Sequence, residues 1–328
     1  MVPGFASDYR GESPRFEVWY GKVDVGPGRA LWFRYTTFDG ALREASTWAI
    51  VFDGDETFGG RSYFEIEDLA PPNEVIIPEG SDPSRFRGHE QVFHTDGAHL
   101  DEANAIGEAA GVEWDLTWAD SGRRFRFLPT WFGPMLSTYD SCFLDLEISG
   151  TISFEGTTWE VDSRPGMVAH IRGPSFFPEH WAWVHCNNFA DDEDAVFEGL
   201  TVKATFGVPL PTLTECVLYV DGREYPFGSP LSVVRTRSEF DRNGWTFEAR
   251  AGGARLTGRA KPPDRSRIAL VEYDDTDGSN LWCYNSKLAD LELRLEDLKR
   301  GTEYELRAEG TSAYEYMTRD EPDEEPLF

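Results

Sequence analysis

Ten residues, HWAWVHCNNF at positions 180–189, carry two histidines, two tryptophans, two asparagines and a cysteine. Read as a strand, the segment sends Trp181, Trp183, His185, Asn187 and Phe189 to one face and His180, Ala182, Val184, Cys186 and Asn188 to the other. The first face sets an imidazole and an amide among large flat rings, which is how the wall of an apolar pocket with a few convergent polar groups is built. The competing reading is a packed core whose His185 and Asn187 are satisfied by neighbouring backbone groups. Strand neighbours point apart, so a Cys186–His185 nucleophilic pair is disfavoured.

The same mixture of ring and charge recurs upstream. Glu17 shares a face with Trp19, Trp32 with Arg34, and Glu44 with Trp48. Three such strands side by side would line a lumen, and Glu17 and Arg34 would then form a buried ion pair. Rim residues whose stems cover the rings are the alternative. His170, His180 and His185, with Glu17 or Asp145, offer metal-ligand types, but no H-E-x-x-H spacing is present, so neither a metal nor a cofactor is expected. There is no G-x-S-x-G elbow, P-loop or dinucleotide fingerprint. His89, His94 and His99 recur every five residues, which fits neither a helix face nor a strand face, and they read as a solvated loop.

The elements that must position these residues alternate with period two. FEVWYGKVDV, RALWFRYTTF, REASTWAIVF, VEWDLTW, RFRFLP (124–129), CFLDLEIS and MVAHIR read as strands, and Gly, Pro, Asp and Ser fill the connections. After residue 199 the rhythm resumes, with hairpin signals at Asp221-Gly222 and Gly252-Gly253. Only 101–111 and the LEDLKRG segment invite a helix. The chain therefore reads as all-β, in barrels or sandwiches, with one β domain over 1–192, a second over 193–317 and a disordered acidic tail over 318–328.

With 31 Lys and Arg against 59 Asp and Glu, the 328-residue chain carries a net charge of −28. Such a surface repels phosphate backbones, so no nucleic-acid partner is expected. Only five of the basic residues are lysine and 26 are arginine, which suggests adaptation to high salt or the codon bias of a GC-rich genome. No stretch approaches the length of a membrane span and the N-terminus lacks a signal pattern, so a cytoplasmic protein without stable membrane insertion is expected. Four well-separated cysteines agree with a reducing compartment.

FEVWYGKVDVGPGRALWFRYTTF (16–38), followed by GMVAHIRGPSFFPEHWAWVHCNNF (166–189), resembles the lipocalin-like family of carotenoid 1,2-hydratases (hydroxyneurosporene synthases) and tocopherol cyclases. The matching positions are Glu17, Trp19, Trp32, Arg34, His170, Gly173, His180, Trp181, Trp183, His185, Asn187 and Phe189; where many members have Gln after the second Trp of the later motif, this chain reads VHCNNF. The resemblance implies two tandem lipocalin-like antiparallel β-barrels holding a hydrophobic isoprenoid or polyketide-like molecule at or between them. It also implies cofactor-independent hydration, cyclisation or isomerisation of double bonds, with a non-catalytic lipid or pigment carrier as the alternative. On that reading His185, His170 or Glu17 is the proton donor, and Trp19, Trp32, Arg34, Trp48, His180, Trp181, Trp183, Asn187 and Phe189 contact the ligand.

Overall fold

The computed structural model describes residues 2–7, 13–41, 43–69, 77, 81–86, 88–89, 91–127, 137–176, 178–206, 208–209, 211–233 and 236–328. The chain is all-β, in two large antiparallel sheets. The first is built from β1 (Arg15–Gly26), β2 (Arg29–Asp39), β3 (Arg43–Asp53), β4 (Glu56–Phe64), β5 (Gln91–Thr95), β6 (Ala98–Asp101), β7 (Asn104–Ala109), β8 (Val112–Asp120), β9 (Phe125–Phe127), β10 (Thr138–Phe154) and β11 (Thr157–Gly173). The second contains β12 (His180–Cys186), β13 (Val196–Lys203), β16 (Leu213–Val220), β17 (Arg223–Pro226), β18 (Arg237–Asp241), β19 (Gly244–Ala251), β20 (Ala254–Lys261), β21 (Ala269–Asp274), β22 (Asn280–Asp297) and β23 (Thr302–Thr318). The short pair β14 (Thr205–Phe206) and β15 (Val208–Pro209) stands apart.

The two sheets repeat one plan. Each begins with a meander of four strands, β1–β4 or β12-β13-β16-β17, and its first strand pairs with the last strand of a long hairpin, β10–β11 or β22–β23. HWAWVHC is thus the opening strand of the second sheet, and the changeover falls between Gly173 and His180 rather than at residue 192. Charge and turn residues at 190–195 mark only the β12–β13 connection, and 196–198 already belong to β13.

Alternation sorts the side chains into three apolar layers. Trp19, Leu31, Phe33, Tyr35 and Trp114 fill the inside of the first sheet, which curls until Tyr35 Oη donates to the Ile106 carbonyl at 2.8 Å and Thr47 Oγ1 to that of Glu108 at 2.6 Å. This nearly closes a lipocalin-like barrel. Gly21 allows the tight curl, since a Cβ there would lie 2.4 Å from Phe33 Cζ and 2.7 Å from the Met167 carbonyl oxygen. Val184, Cys186, Phe197, Trp245 and Phe247 fill the second barrel. The third layer lies between the sheets, where Tyr20, Trp32, Trp48 and Met167 meet Trp183, Tyr273, Cys283 and Met317.

Three expectations are corrected. Residues 101–111 form the β6 end and β7, because Ala105 and Ala109 are buried at alternate positions and β7 pairs with β8, overriding helical propensity. LEDLKRG ends β22 and turns at Gly301, whose φ is +70°. The acidic tail is ordered: Leu327 N donates to the Leu270 carbonyl at 2.7 Å, Glu272 N to that of Phe328 at 3.2 Å, and Glu324 pairs with Arg265. Of RFRFLP, β9 covers Phe125–Phe127, and Leu128 and Pro129 lie outside the described residues.

Candidate functional site

The densest polar group of the inter-sheet layer centres on Glu198, fully buried on β13. Its Oε1 accepts hydrogen bonds from Tyr139 Oη at 2.5 Å, Ser141 Oγ at 2.6 Å and Trp183 Nε1 at 2.8 Å, and Oε2 faces His185 Nδ1 at 2.9 Å. Four side chains thus converge on one carboxylate. On its other side, His185 Nε2 faces Asn187 Oδ1 at 3.3 Å. The Asn187 amide is oriented by Nδ2, which donates to the Gly166 carbonyl at 2.9 Å. Both imidazole nitrogens therefore face oxygen atoms, Glu198 Oε2 on one side and Asn187 Oδ1 on the other. Tyr20 Oη donates to Tyr139 Oη at 2.8 Å, extending the chain of hydrogen bonds to β1, and burial holds both phenols well above their ordinary pKa.

Three cations are buried around this group. Lys287 Nζ lies 2.6 Å from Asn285 Oδ1 and 2.7 Å from Glu315 Oε1, and sits 5.7 Å from the Trp32 ring and 5.3 Å from that of Trp183. Burial lowers its pKa, with Glu315 opposing. Lys22 Nζ lies 3.0 Å from both Asp24 oxygens. The third, Arg34, stacks 4.3 Å from the centroid of Trp48 and 4.5 Å from that of Tyr273.

A second cluster lies inside the first barrel. His170 stacks on Trp19 with centroids 4.3 Å apart and planes 9° from parallel. The segment 2–7 reaches these rings: Trp19 Nε1 donates to the Phe5 carbonyl at 2.9 Å, His170 Nδ1 to that of Gly4 at 2.8 Å, and Ser7 Oγ to Glu17 at 2.5 Å. Burial, and next Arg172, hold His170 well below its ordinary pKa, and its buried Nε2 has no hydrogen-bond partner among the described residues.

The residues singled out in the sequence are thus divided between two places. Trp32, Arg34, Trp48, Trp183, His185 and Asn187 face the inter-sheet layer, and Trp181 joins its edge by stacking on Phe176 at 5.8 Å. Glu17, Trp19 and His170 face the opposite side of the same sheet. Glu17 therefore cannot pair with Arg34: their strands are neighbours, but the register places Thr37 opposite Glu17 and Tyr20 opposite Arg34. Glu17 pairs instead with Arg15 at 3.3 Å. His180 stacks on Tyr316 of the second barrel, with centroids 6.3 Å apart. Phe189 lies in the core of that barrel, because β12 ends at Cys186 and the alternation stops there.

The histidines at 94 and 99 are buried on β5 and β6 rather than solvated. His99 Nε2 lies 2.9 Å from Asp101 Oδ2, and the two Nδ1 atoms are 3.2 Å apart. Sequence reading missed Glu198, Tyr20, Tyr139, Lys22 and Lys287. A signal was present for Glu198, which interrupts the apolar face Val196, Leu200, Val202; Lys22 and Lys287 are the two lysines buried within strands. Among the described residues no three His, Cys, Asp or Glu side chains gather as a metal site, and no helix is long and apolar enough to cross a membrane.

Two tandem barrels of lipocalin type with an aromatic, hydrogen-bonded layer between them define the class. A family model described as tocopherol cyclase-like matches residues 142–315, more than half the chain, and the chain belongs to that family. It is 26% identical over 296 residues to uncharacterised proteins from two strains of Mycobacterium tuberculosis, an alignment covering 88% of this chain and 83% of theirs. Among solved structures, an AttH candidate from Nitrosomonas europaea aligns with TM-score 0.53 and 12% identity over 97% of this chain and 98% of its own. Kievitone hydratase from Nectria haematococca aligns with TM-score 0.51 and 10% identity over 92% of this chain and 88% of its own. At these identities the two structures share the fold.

Proposed function

We propose that the protein binds a hydrophobic isoprenoid or polyketide-like molecule in the aromatic layer between its sheets and catalyses cofactor-independent, proton-initiated hydration, cyclisation or isomerisation of a double bond. The observation that carries this reading is the buried Glu198–His185 pair at 2.9 Å, flanked by the Trp183 indole. Protonating an alkene carbon needs a positioned acid in a dry site. His185 delivers the Nε2 proton that faces Asn187 at 3.3 Å, the longer of its two contacts, while Glu198 holds the ring by Nδ1. A water or ligand hydroxyl then adds to the cationic carbon and returns a proton to His185. Indole faces stabilise positive charge, and Trp32 and Trp183 already carry the Lys287 ammonium, whose charge Glu315 balances. Membership of a cyclase-like family and the shared fold of a hydratase support the reading.

The test is to incubate the purified protein with a cell lipid extract and compare ligand masses before and after, alongside H185Q. Gain of water or formation of an isomer by the wild type alone is the expected result. A ligand that binds and is recovered unchanged would overturn catalysis in favour of a carrier.

A further inference from the structure

Of the three buried cations, two have acid partners. Lys22 has Asp24 and Lys287 has Glu315. Arg34 is only 5% exposed, yet among the described residues no carboxylate lies within 4.0 Å of it. Its Nε donates to Thr36 Oγ1 at 2.8 Å and the Tyr273 hydroxyl is a further hydrogen-bonding neighbour, so its described partners are neutral. In a chain with 59 acidic residues against 31 basic ones, an acid partner was readily available and is absent. Leaving a buried guanidinium unpaired is costly unless something else supplies the charge.

Two residues away on the same face of β2 lies a donor that lacks any partner among the described residues. Trp32 Nε1 is buried and has no hydrogen-bond partner. Most buried indole N–H groups find an acceptor. The neighbours of these two donors are informative: Tyr20 and Trp48 stand opposite Arg34 in the ladder, and Lys22 and Ile50 stand opposite Trp32. The row that holds Arg34 therefore includes Tyr20, the end of the hydrogen-bond chain that runs through Tyr139 to Glu198. Glu315 acts on Arg34 from beyond contact distance and is already paired with Lys287, so no carboxylate among the described residues touches the guanidinium.

We propose that Arg34 and Trp32 form an anion-accepting head site in the inter-sheet layer, so that the ligand is an amphiphile bearing a carboxylate, phenolate or enolate oxygen rather than a bare hydrocarbon. The assignment rests on the reading of this layer as the ligand site. The planar guanidinium would hold the oxygens in its fork, and the unpartnered indole N–H of Trp32 would add a further donor. A net charge of −28 repels anions at long range, so binding of such a ligand strengthens as salt screens the surface, whereas a neutral ligand shows little response.

Retinoic acid and retinol, which share a polyene and differ at the head, serve as probes. The full chain is titrated with each in about 1 M KCl, where surface repulsion is screened, and tryptophan quenching is followed. Retinoic acid is expected to bind about tenfold tighter than retinol, as a charge-assisted contact in a dry site predicts. R34M should abolish that preference, the affinity ratio of acid to alcohol falling to about one, because the contact is specific to the charged head. Equal binding of acid and alcohol by the wild type, or a preference that survives in R34M, overturns the head site and leaves the ligand layer standing. Binding of neither overturns both. Should R34M fail to fold, R34K must reduce the preference, because an ammonium lacks the planar fork, and an undiminished preference overturns the assignment.

Discussion

Trp32 and Trp183 come from different sheets and share one cation: Lys287 Nζ sits 5.7 Å from the first ring and 5.3 Å from the second. The ammonium is anchored by Glu315 and Asn285 on the second sheet while one of the two rings belongs to the first, so this contact ties the two barrels together. Removing Lys287 leaves Glu315 in a dry layer without its counter-charge. K287M is expected to lower the unfolding free energy by about 3–5 kcal/mol, measured by denaturant titration. The double variant K287M/E315Q should recover most of that loss, since an amide tolerates the same surroundings without a charge. A double variant as unstable as the single one would mean that packing, and not the charge, is what Lys287 contributes.

Glu198 separates structure from chemistry in the same layer. E198A strips the acceptor from Tyr139, Ser141, Trp183 and His185 at once, and is expected to cost about 3–5 kcal/mol. E198Q keeps an acceptor and the side-chain volume, so it should stay folded by circular dichroism, while product formation from the lipid extract falls by about 10²-fold or more. Y139F removes a single hydrogen bond and should cost roughly 1 kcal/mol. Full turnover by a folded E198Q would take the Glu198–His185 pair out of the mechanism.

Legibility followed the range of the interactions. Period-two alternation named the strands and placed Trp181, Trp183 and His185 on one face, because that depends on nothing beyond the next residue. It could not say which side of a sheet faced which partner. Glu17 and Arg34 looked like a pair because both share a face with an indole, yet a sheet has two faces and only the register decides between them. Lys287, about a hundred residues from His185, enters the site because β22 lies one strand away from β12 in the second sheet, a long-range pairing that no local pattern reveals. The tail misled for a related reason: its acidic residues suggest solvation, but Phe328 finds Trp48 and Glu324 finds Arg265, partners that composition does not reveal. His94 and His99 were misjudged because two short strands pairing with each other satisfy both rings locally.

The His94–His99 pair predicts a pH dependence of stability. His99 donates Nε2–H to Asp101, so in the neutral pair its bare Nδ1 accepts from His94. Burial first, then His99, lowers the His94 pKa to about 4, with Asp96 opposing. Between that value and the 6.5 of an unfolded histidine, the unfolded chain binds a proton that the native one does not, so stability rises with pH across the window. This contribution is complete above about pH 6.5 and is lost as pH falls toward 4, amounting to roughly 3 kcal/mol. Denaturant titrations at pH 7.5 and 4.5 should show the loss in the wild type and a smaller one in H94Q, which keeps a donor for His99 but does not titrate. Parallel curves for the two proteins would place the acid sensitivity elsewhere.

The C-terminal tail borders the inter-sheet layer through Phe328. Phe328 packs edge-on against Trp48, with centroids 5.6 Å apart, and the same indole carries the Arg34 and Arg61 guanidinium groups at 4.3 and 5.1 Å. The backbone of the tail is fixed independently by its hydrogen bonds to Leu270 and Glu272, so F328A removes the ring without releasing the strand. The loss should be modest, about 1–2 kcal/mol for a partly buried aromatic side chain. The optical consequence is more specific. Trp48 is 3% exposed behind the ring, and uncovering it should raise acrylamide quenching of tryptophan fluorescence. Because the chain has 11 tryptophans, the comparison is made against W48F, in which the same F328A change should add no quenching. An equal increase in both backgrounds would mean that the tail covers the layer as a whole and not this ring.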